Sequence, residues 1–250
     1  MSVSYELTGP IGSLAALGLV VLQTDETIEH DFRRIFTSPE IALYVTRLPM
    51  AAELTPDAIT DMEAELGAAA RLLPPEVAFD VVAYACTSGT SQIGAGAVAD
   101  CLRATTSTRE ATNPLSAAKA AFAHVGAKRV AVVSPYIKVI SDGLCRALEG
   151  DGVQVVESVS FGERVEHHVA RIAPASIHSA ALAVGRSEEV DAVFLSCTNL
   201  RTLDIIDDLE AVLQKPVLSS NQALAWDMAR RAKKSVPFGH APGRLFRDIA

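Results

Sequence analysis

Two cysteines stand at equivalent points of two similar segments, Asp80-Val-Val-Ala-Tyr-Ala-Cys86-Thr87-Ser88 and Asp191-Ala-Val-Phe-Leu-Ser-Cys197-Thr198-Asn199. Each opens on an acidic residue, continues as an apolar run and ends in Cys-Thr plus a small polar residue. A thiol at that point follows a buried strand, where the chain turns towards a helix whose first N–H groups have no partner in the helix. Such amides and the nearby hydroxyls favour the thiolate, so both thiols are expected to ionise below the usual ~8.5, near neutral pH. Two thiols facing one small molecule from opposite sides could take a proton from one face of a carbon centre and return one to the other. Cys101 and Cys145 fall inside Ala/Leu-rich helical stretches and read as structural residues.

The neighbours of the two thiols fit that chemistry. Thr87, Ser88, Thr198 and Asn199 supply side-chain donors, and the amides of their turns suit a carboxylate or the enediolate left when an α-proton departs. Tyr136, at the end of another apolar run, would add a phenol. Gln23 and Asp25 lie in Gln23-Thr24-Asp25-Glu26-Thr27, the turn after the first run. That turn has no glycine, unlike a phosphate-cradling loop, so no nucleotide cofactor is expected. None of the six histidines follows a strand at the same sheet edge. His30, His124 and His178 sit in helical segments, His240 near the end, and His167 and His168 in a polar stretch that reads as a solvated helix or loop. A Cys-His hydrolase and a metal site are therefore disfavoured, and the four cysteines contain no Cys-x-x-Cys pair. Acid–base chemistry without a cofactor remains.

The elements that must position these residues follow from pattern. Short Val/Ile/Leu-rich runs bounded by turn residues predict strands at 18–22, 41–46, 81–85, 129–134, 153–159, 192–196 and 216–219. Between them, helices are predicted from Thr55-Pro56 to about 72 and at 93–103, 115–125, 139–150, 175–185, 203–213 and 223–233. Alternating strands and helices imply an α/β fold with parallel sheets, whose ligands bind beyond the carboxyl ends of the strands. Phe161-Gly162 and Ser219 to Gln222 join that edge with the residues named above. The offset between Cys86 and Cys197, 111 residues, also carries the run starting at Leu17 onto the one starting at Lys128. That repetition predicts an internal duplication: two Rossmann-like lobes related by a pseudo-twofold axis, the first formed by residues 1–112 and 220–250, the second by 113–219, with the active site in the cleft between them.

Bulk properties bound the rest. The chain has 250 residues, 49% of them hydrophobic, ample for a core, and a net charge of −8. That charge argues against nucleic acid or an anionic membrane as partner. The apolar stretch over 11–22 is shorter than the ~20 residues of a membrane span and reads as a first strand. A reduced, cytoplasmic enzyme acting on a small carboxylate is expected.

At these residues the chain resembles the aspartate/glutamate racemase superfamily, in the branch of maleate cis–trans isomerases and arylmalonate decarboxylases, and within it the ectoine-utilisation proteins. Tyr84-Ala-Cys86-Thr87-Ser88-Gly89 and Ser196-Cys197-Thr198-Asn199-Leu200-Arg201-Thr202-Leu203 are similar to the two cysteine motifs, and Pro216 to Gln222 and Gly243-Arg244-Leu245-Phe246 to the closing segments. The resemblance implies cofactor-independent catalysis by Cys86 and Cys197, with Thr87, Ser88 and Tyr136 as carboxylate or oxyanion donors, and it permits a homodimer. It also implies departures. Arylmalonate decarboxylases have glycine in place of Cys86, and maleate isomerases commonly have asparagine where this chain has Asp25. An aspartate there would repel a second carboxylate and pair with an ammonium, or cap the helix that follows it. The leading expectation is a two-cysteine racemase or epimerase of a small α-substituted carboxylate, an amino acid or a dicarboxylate. The alternatives are a maleate-type isomerase in which Cys86 adds to the double bond, an arylmalonate-type decarboxylase, and a non-catalytic small-acid binding protein.

Overall fold

The computed structural model describes residues 2–50 and 56–247, so Thr55, expected to cap the helix at Pro56, lies outside the described residues. The strands form two sheets of the same design. The first holds β1 (Ala15–Leu22), β2 (Ile41–Leu48), β3 (Phe79–Ala85) and β4 (Thr108–Thr112) in the order β2-β1-β3-β4. The second holds β5 (Arg129–Tyr136), β6 (Gln154–Glu163), β7 (Ala192–Leu195) and β8 (Val217–Ser219) in the order β6-β5-β7-β8. Every pairing is parallel. The central strands β3 and β7 are buried along their whole length, as expected of unbroken apolar runs covered on both faces.

The helices are α1 (Ile28–Ile35), α2 (Pro56–Ala70), α3 (Thr87–Ile93), α4 (Ala95–Thr105), α5 (Pro114–His124), α6 (Lys138–Leu148), α7 (Glu166–Val169), α8 (Pro174–Gly185), α9 (Ile206–Leu213) and α10 (Ser220–Ala232). Several boundaries differ from the pattern. The helix expected over 93–103 is two, parted at Gly94 with φ +96°, a conformation open to glycine. α10 starts a turn early because Ser219 and Gln222 form a reciprocal capping box. β4 was not expected at all, since Thr108-Arg-Glu-Ala-Thr112 is a polar edge strand. β6 runs on to Glu163, so Phe161 and Gly162 lie within the strand rather than beyond it.

The duplication is visible residue by residue. Val20 pairs beside Tyr84 as Val133 pairs beside Leu195, which sets β1 and β5 apart by 113 residues where the cysteines differ by 111. The two acidic residues that open the repeats do the same work: Asp80 accepts the N–H of Ala16 at 3.1 Å and Asp191 that of Arg129 at 2.7 Å, pinning the start of each neighbouring strand. The caps Asn113 and Ser219 are likewise equivalent, accepting from Ser116 N and Gln222 N.

The helix that leaves the last strand of each sheet packs on the other sheet. α5 follows β4 but lays Phe122 edge-on against Phe194 of β7, with ring centroids 5.6 Å apart. α10 follows β8 but packs on β3 and β4, and the two helices pack on each other. Among the described residues no helix is long and apolar enough to cross a membrane. Because the Phe122 ring is fully buried at this crossing, Phe122→Ala is expected to cost about 3–5 kcal/mol. Chemical denaturation checks it, and a loss below about 1 kcal/mol would show that α5 is not tied to the second sheet.

Candidate active site

Cys86 is the residue between β3 and α3. It serves as the N-cap of α3, its Sγ accepting the Gly89 N–H at 3.2 Å with Ser88 Oγ 3.6 Å away. Gly89 is required here: a Cβ would sit 2.4 Å from the Tyr84 hydroxyl and 3.1 Å from the Cys86 sulfur. The second thiol is held differently. No helix begins at Cys197; residues 198–200 form a turn, and the chain becomes helical only at Leu203. The expectation of two matching helix starts therefore fails for this half. Cys197 instead has φ +139°, a strained conformation for a residue with a Cβ. Its N–H donates to Ser220 Oγ at 3.0 Å, and its Sγ accepts from Asn199 N at 3.4 Å.

The two turns meet. The Ser220 hydroxyl that receives the Cys197 N–H is also 2.9 Å from Thr87 Oγ1, next to Cys86. Thr198 Oγ1 donates to the Ala85 carbonyl at 3.2 Å, so the second cysteine turn is bonded to the end of the first cysteine strand. Asn199 completes the junction. Its Oδ1 accepts from Glu26 N at 2.9 Å, its carbonyl accepts from Thr27 Oγ1 at 3.0 Å, and its Nδ2 reaches Glu166 Oε1 at 3.1 Å. With its amide fully engaged, Asn199 holds the lobes together and has no donor left for a substrate.

Buried polar atoms with no hydrogen-bond partner among the described residues gather around the cysteine turns, among them the Tyr136 hydroxyl, Asp25 Oδ2, Glu166 Oε2, Ser196 Oγ and Asn221 Oδ1. Asp25 does cap α1, its Oδ1 accepting the N–H groups of Thr27 and Ile28 at 2.8 and 2.9 Å. Gln23, by contrast, is exposed and only its backbone is bonded. Glu166 is the residue that pattern reading missed. Its charged surroundings predict a solvated stretch shared with His167 and His168, yet it is only 2% exposed. Its position three residues past the carboxyl end of β6 was the available signal, hidden by charged neighbours on both sides.

The electrostatics also reverse an expectation. Cys86 and Cys197 are 3% and 6% exposed. Burial pushes the Cys86 thiol up to about 11 despite the helix-start amide and Ser88, with the Glu166 carboxyl adding to the rise. Cys197 is driven well above the ordinary thiol range by burial, then by Glu166, and Asp25 contributes too. Both thiols thus rest protonated: removing water outweighs the donors that sequence reading credited. Burial raises Asp25, and raises Glu166 to about 8. Tyr136 is raised by burial, then by the Cys197 and Cys86 thiols. Among the described residues no three His, Cys, Asp or Glu side chains are grouped to hold a metal ion.

Two measurements follow. All four cysteines are free, and Cys101 and Cys145 are partly exposed. Iodoacetamide at neutral pH should label those two well before Cys86 and Cys197, as read by peptide mass spectrometry, and equal labelling would show that the site thiols are open and ionised. The second concerns Glu166, whose proton stays on to about 8 in the folded protein but leaves near 4.5 in an unfolded chain. Its contribution to stability is full below 4.5 and is lost as pH rises through about 8. Asp31, raised by burial to about 6, has largely titrated before the upper part of that window. Between pH 6 and 8 the unliganded protein should lose ~1–2 kcal/mol more stability than Glu166→Gln. Parallel denaturation profiles would mean that the carboxyl ionises normally.

The arylmalonate decarboxylase family matches residues 17–246. The chain is 26% identical over 243 residues to the maleate isomerase of Nocardia farcinica, covering 93% of this chain and 95% of that one. It is 31% identical over 123 residues to the arylmalonate decarboxylase of Bordetella bronchiseptica, a match spanning 49% of this chain and 51% of that enzyme. Its fold is similar to that of a Nocardia farcinica maleate cis–trans isomerase variant solved with a covalently bound succinylcysteine intermediate, with TM-score 0.84, 24% identity and coverage of 94% and 99%. With two four-stranded parallel sheets and two cysteine turns brought together, the chain belongs to the arylmalonate decarboxylase family, in the branch of the aspartate/glutamate racemase superfamily that includes the maleate isomerases.

Proposed function

We propose that the protein is a two-cysteine, cofactor-independent racemase or epimerase of a small α-substituted carboxylate. The observation that supports this reading most is the junction of the Cys86 and Cys197 turns, joined by the shared Ser220 hydroxyl and by the Thr198 hydroxyl on the Ala85 carbonyl. Two thiols from equivalent strands suit a reaction that needs a base on one face of a carbon and an acid on the other. In each turnover one sulfur, as thiolate, takes the α-proton. The C–H electron pair moves into an enediolate on the carboxylate. The opposite S–H then returns a proton to the other face, leaving its own sulfur as thiolate for the reverse reaction.

Unpaired amides at the start of α3 and the Tyr136 hydroxyl supply donors for the enediolate oxygens. Because both thiols rest protonated, the substrate complex must bring one of them down before proton transfer begins. That requirement fits a closed site in which bound charge acts at low dielectric.

A second reading is favoured by the relatives: cis–trans isomerisation of a maleate-type alkene, with Cys86 adding to the double bond and Cys197 handling the proton. Full-length similarity to a maleate isomerase supports it. A decarboxylase reading follows from the family description, but the resemblance puts Cys86 where it implies a glycine in arylmalonate decarboxylases.

Incubation in deuterated water separates these readings. With a panel of chiral α-amino and α-hydroxy acids, the racemase exchanges the α-hydrogen and inverts the centre, followed by proton NMR and chiral chromatography. Cys86→Ser and Cys197→Ser should each lower inversion by about 100-fold or more. Conversion of maleate to fumarate with a transient adduct on Cys86 would favour the second reading, and exchange that survives loss of either thiol would sink the first.

A further inference from the structure

α10 ends where a groove begins. Lys233, at φ +54°, closes the helix and turns the chain into the segment 234–238. Phe238 anchors that segment between the rings of Phe36 and Phe246, with centroids 6.0 and 4.7 Å away. Between the segment, the last turns of α10 and the end of α5 lies a groove of about 730 Å³, within the size range of small-molecule sites. Its apolar lining includes Trp226, Val236 and Phe238, and its rim carries Arg230, Lys233 and Lys234. Ser220, which bonds to both cysteine turns, begins the same helix. Arg230 lies roughly 15 Å further along the helix axis, so the groove is separate from the thiols.

Its walls are fixed. The Trp226 indole lies between the His124 ring, 5.1 Å away, and the Arg230 guanidinium, 5.2 Å from the ring centroid. Arg230 is held by Asp227 Oδ1 at 2.6 Å and Lys234 by Asp80 Oδ2 at 2.8 Å, both carboxylates being buried. Each of those carboxylates serves two cations, Asp227 also holding Arg231 and Asp80 also holding Arg109, while Arg231 reaches Glu110 as well. Lys233 is exposed and forms no ion pair among the described residues. Around the groove five cations thus meet three carboxylates, in a chain whose net charge is −8. Among the described residues no Asp or Glu lines the groove itself. The C-terminal dipole of α10, worth about half a negative charge, is offset by Arg230, Arg231 and Lys233 at its own last turn and cap. Lys233 Nζ and the buried Trp226 Nε1–H are both donors without an acceptor.

We propose that this groove is a second binding site, apart from the thiols, for a small amphipathic anion: a carboxylate met by Lys233 at the rim, on an apolar body that lies against Trp226, Val236 and Phe238. The charge surplus selects the sign of the ligand, and the apolar lining selects its body. A cationic ligand would find no carboxylate on these walls, and a small ion such as acetate would leave the apolar lining wet. The proposal does not depend on the two-thiol reading above.

The chain has a single tryptophan, and it lines this groove, so its emission is a local reporter. The test titrates the full chain with octanoate and with octylammonium, which share a body and differ in charge, at low salt. Octanoate should change the Trp226 emission saturably, at one molecule per chain by isothermal titration, and about tenfold or more tightly than octylammonium. Lys233→Glu alters an exposed side chain, so its melt should stay near that of the parent. In that variant octanoate should weaken about tenfold or more and octylammonium should gain. Equal or tighter binding of octylammonium by the parent would overturn the proposal. So would the absence of a saturable change, whether the groove is empty or covered by a second copy of the chain. Octanoate binding unchanged in Lys233→Glu would place the ligand elsewhere, the thiol pocket included, and would overturn it equally.

Discussion

Everything at the centre of this protein depends on how the segment 197–199 is held. Cys197 adopts φ +139°, and such a conformation costs a non-glycine residue on the order of 1–3 kcal/mol. What holds it is a set of bonds that cross between lobes: Ser220 on the Cys197 N–H, Thr198 on the end of β3, and Asn199 on the turn after β1. The same bonds that fix the strained thiol also fasten the two sheets. A substitution that loosens the lobe junction therefore changes the aim of the sulfur, and the two cannot be adjusted separately.

Electrostatics then sets the resting state. Donors at the start of α3 act on Cys86, but burial and the Glu166 carboxyl outweigh them, and Cys197 is shifted further, by burial first, then by Glu166 and least by Asp25. The two thiols are related by duplication yet are not electrostatically alike. One caps a helix, and the other lies in a turn among acidic groups. A symmetric framework thus presents an asymmetric pair.

Much of this was legible in the sequence. β3 and β7 could be read because strands buried on both faces are unbroken apolar runs ending in the same Cys-Thr pair. The repeat was legible for the same reason, although its spacing drifts from 113 to 111 residues between strands and hides part of the match. β4 was not legible. Its Arg109 and Glu110 look like loop residues, but they pair with Asp80 and Arg231, contacts that only the folded chain provides. Glu166 was hidden likewise, since nothing local buries it; Asn199, thirty-three residues away, does. The direction of the thiol shift was misread because motif reasoning counts donors, whereas desolvation belongs to the whole fold.

The exchanged helices have a mechanical consequence. With α5 laid on the second sheet and α10 on the first, each sheet is covered by a helix whose chain has just left the other. The halves are interlocked and cannot swing apart like jaws without stripping Phe122 from Phe194 and α10 from β3. Access to two sulfurs that are nearly closed to solvent must come from local breathing of the loops above the strand ends.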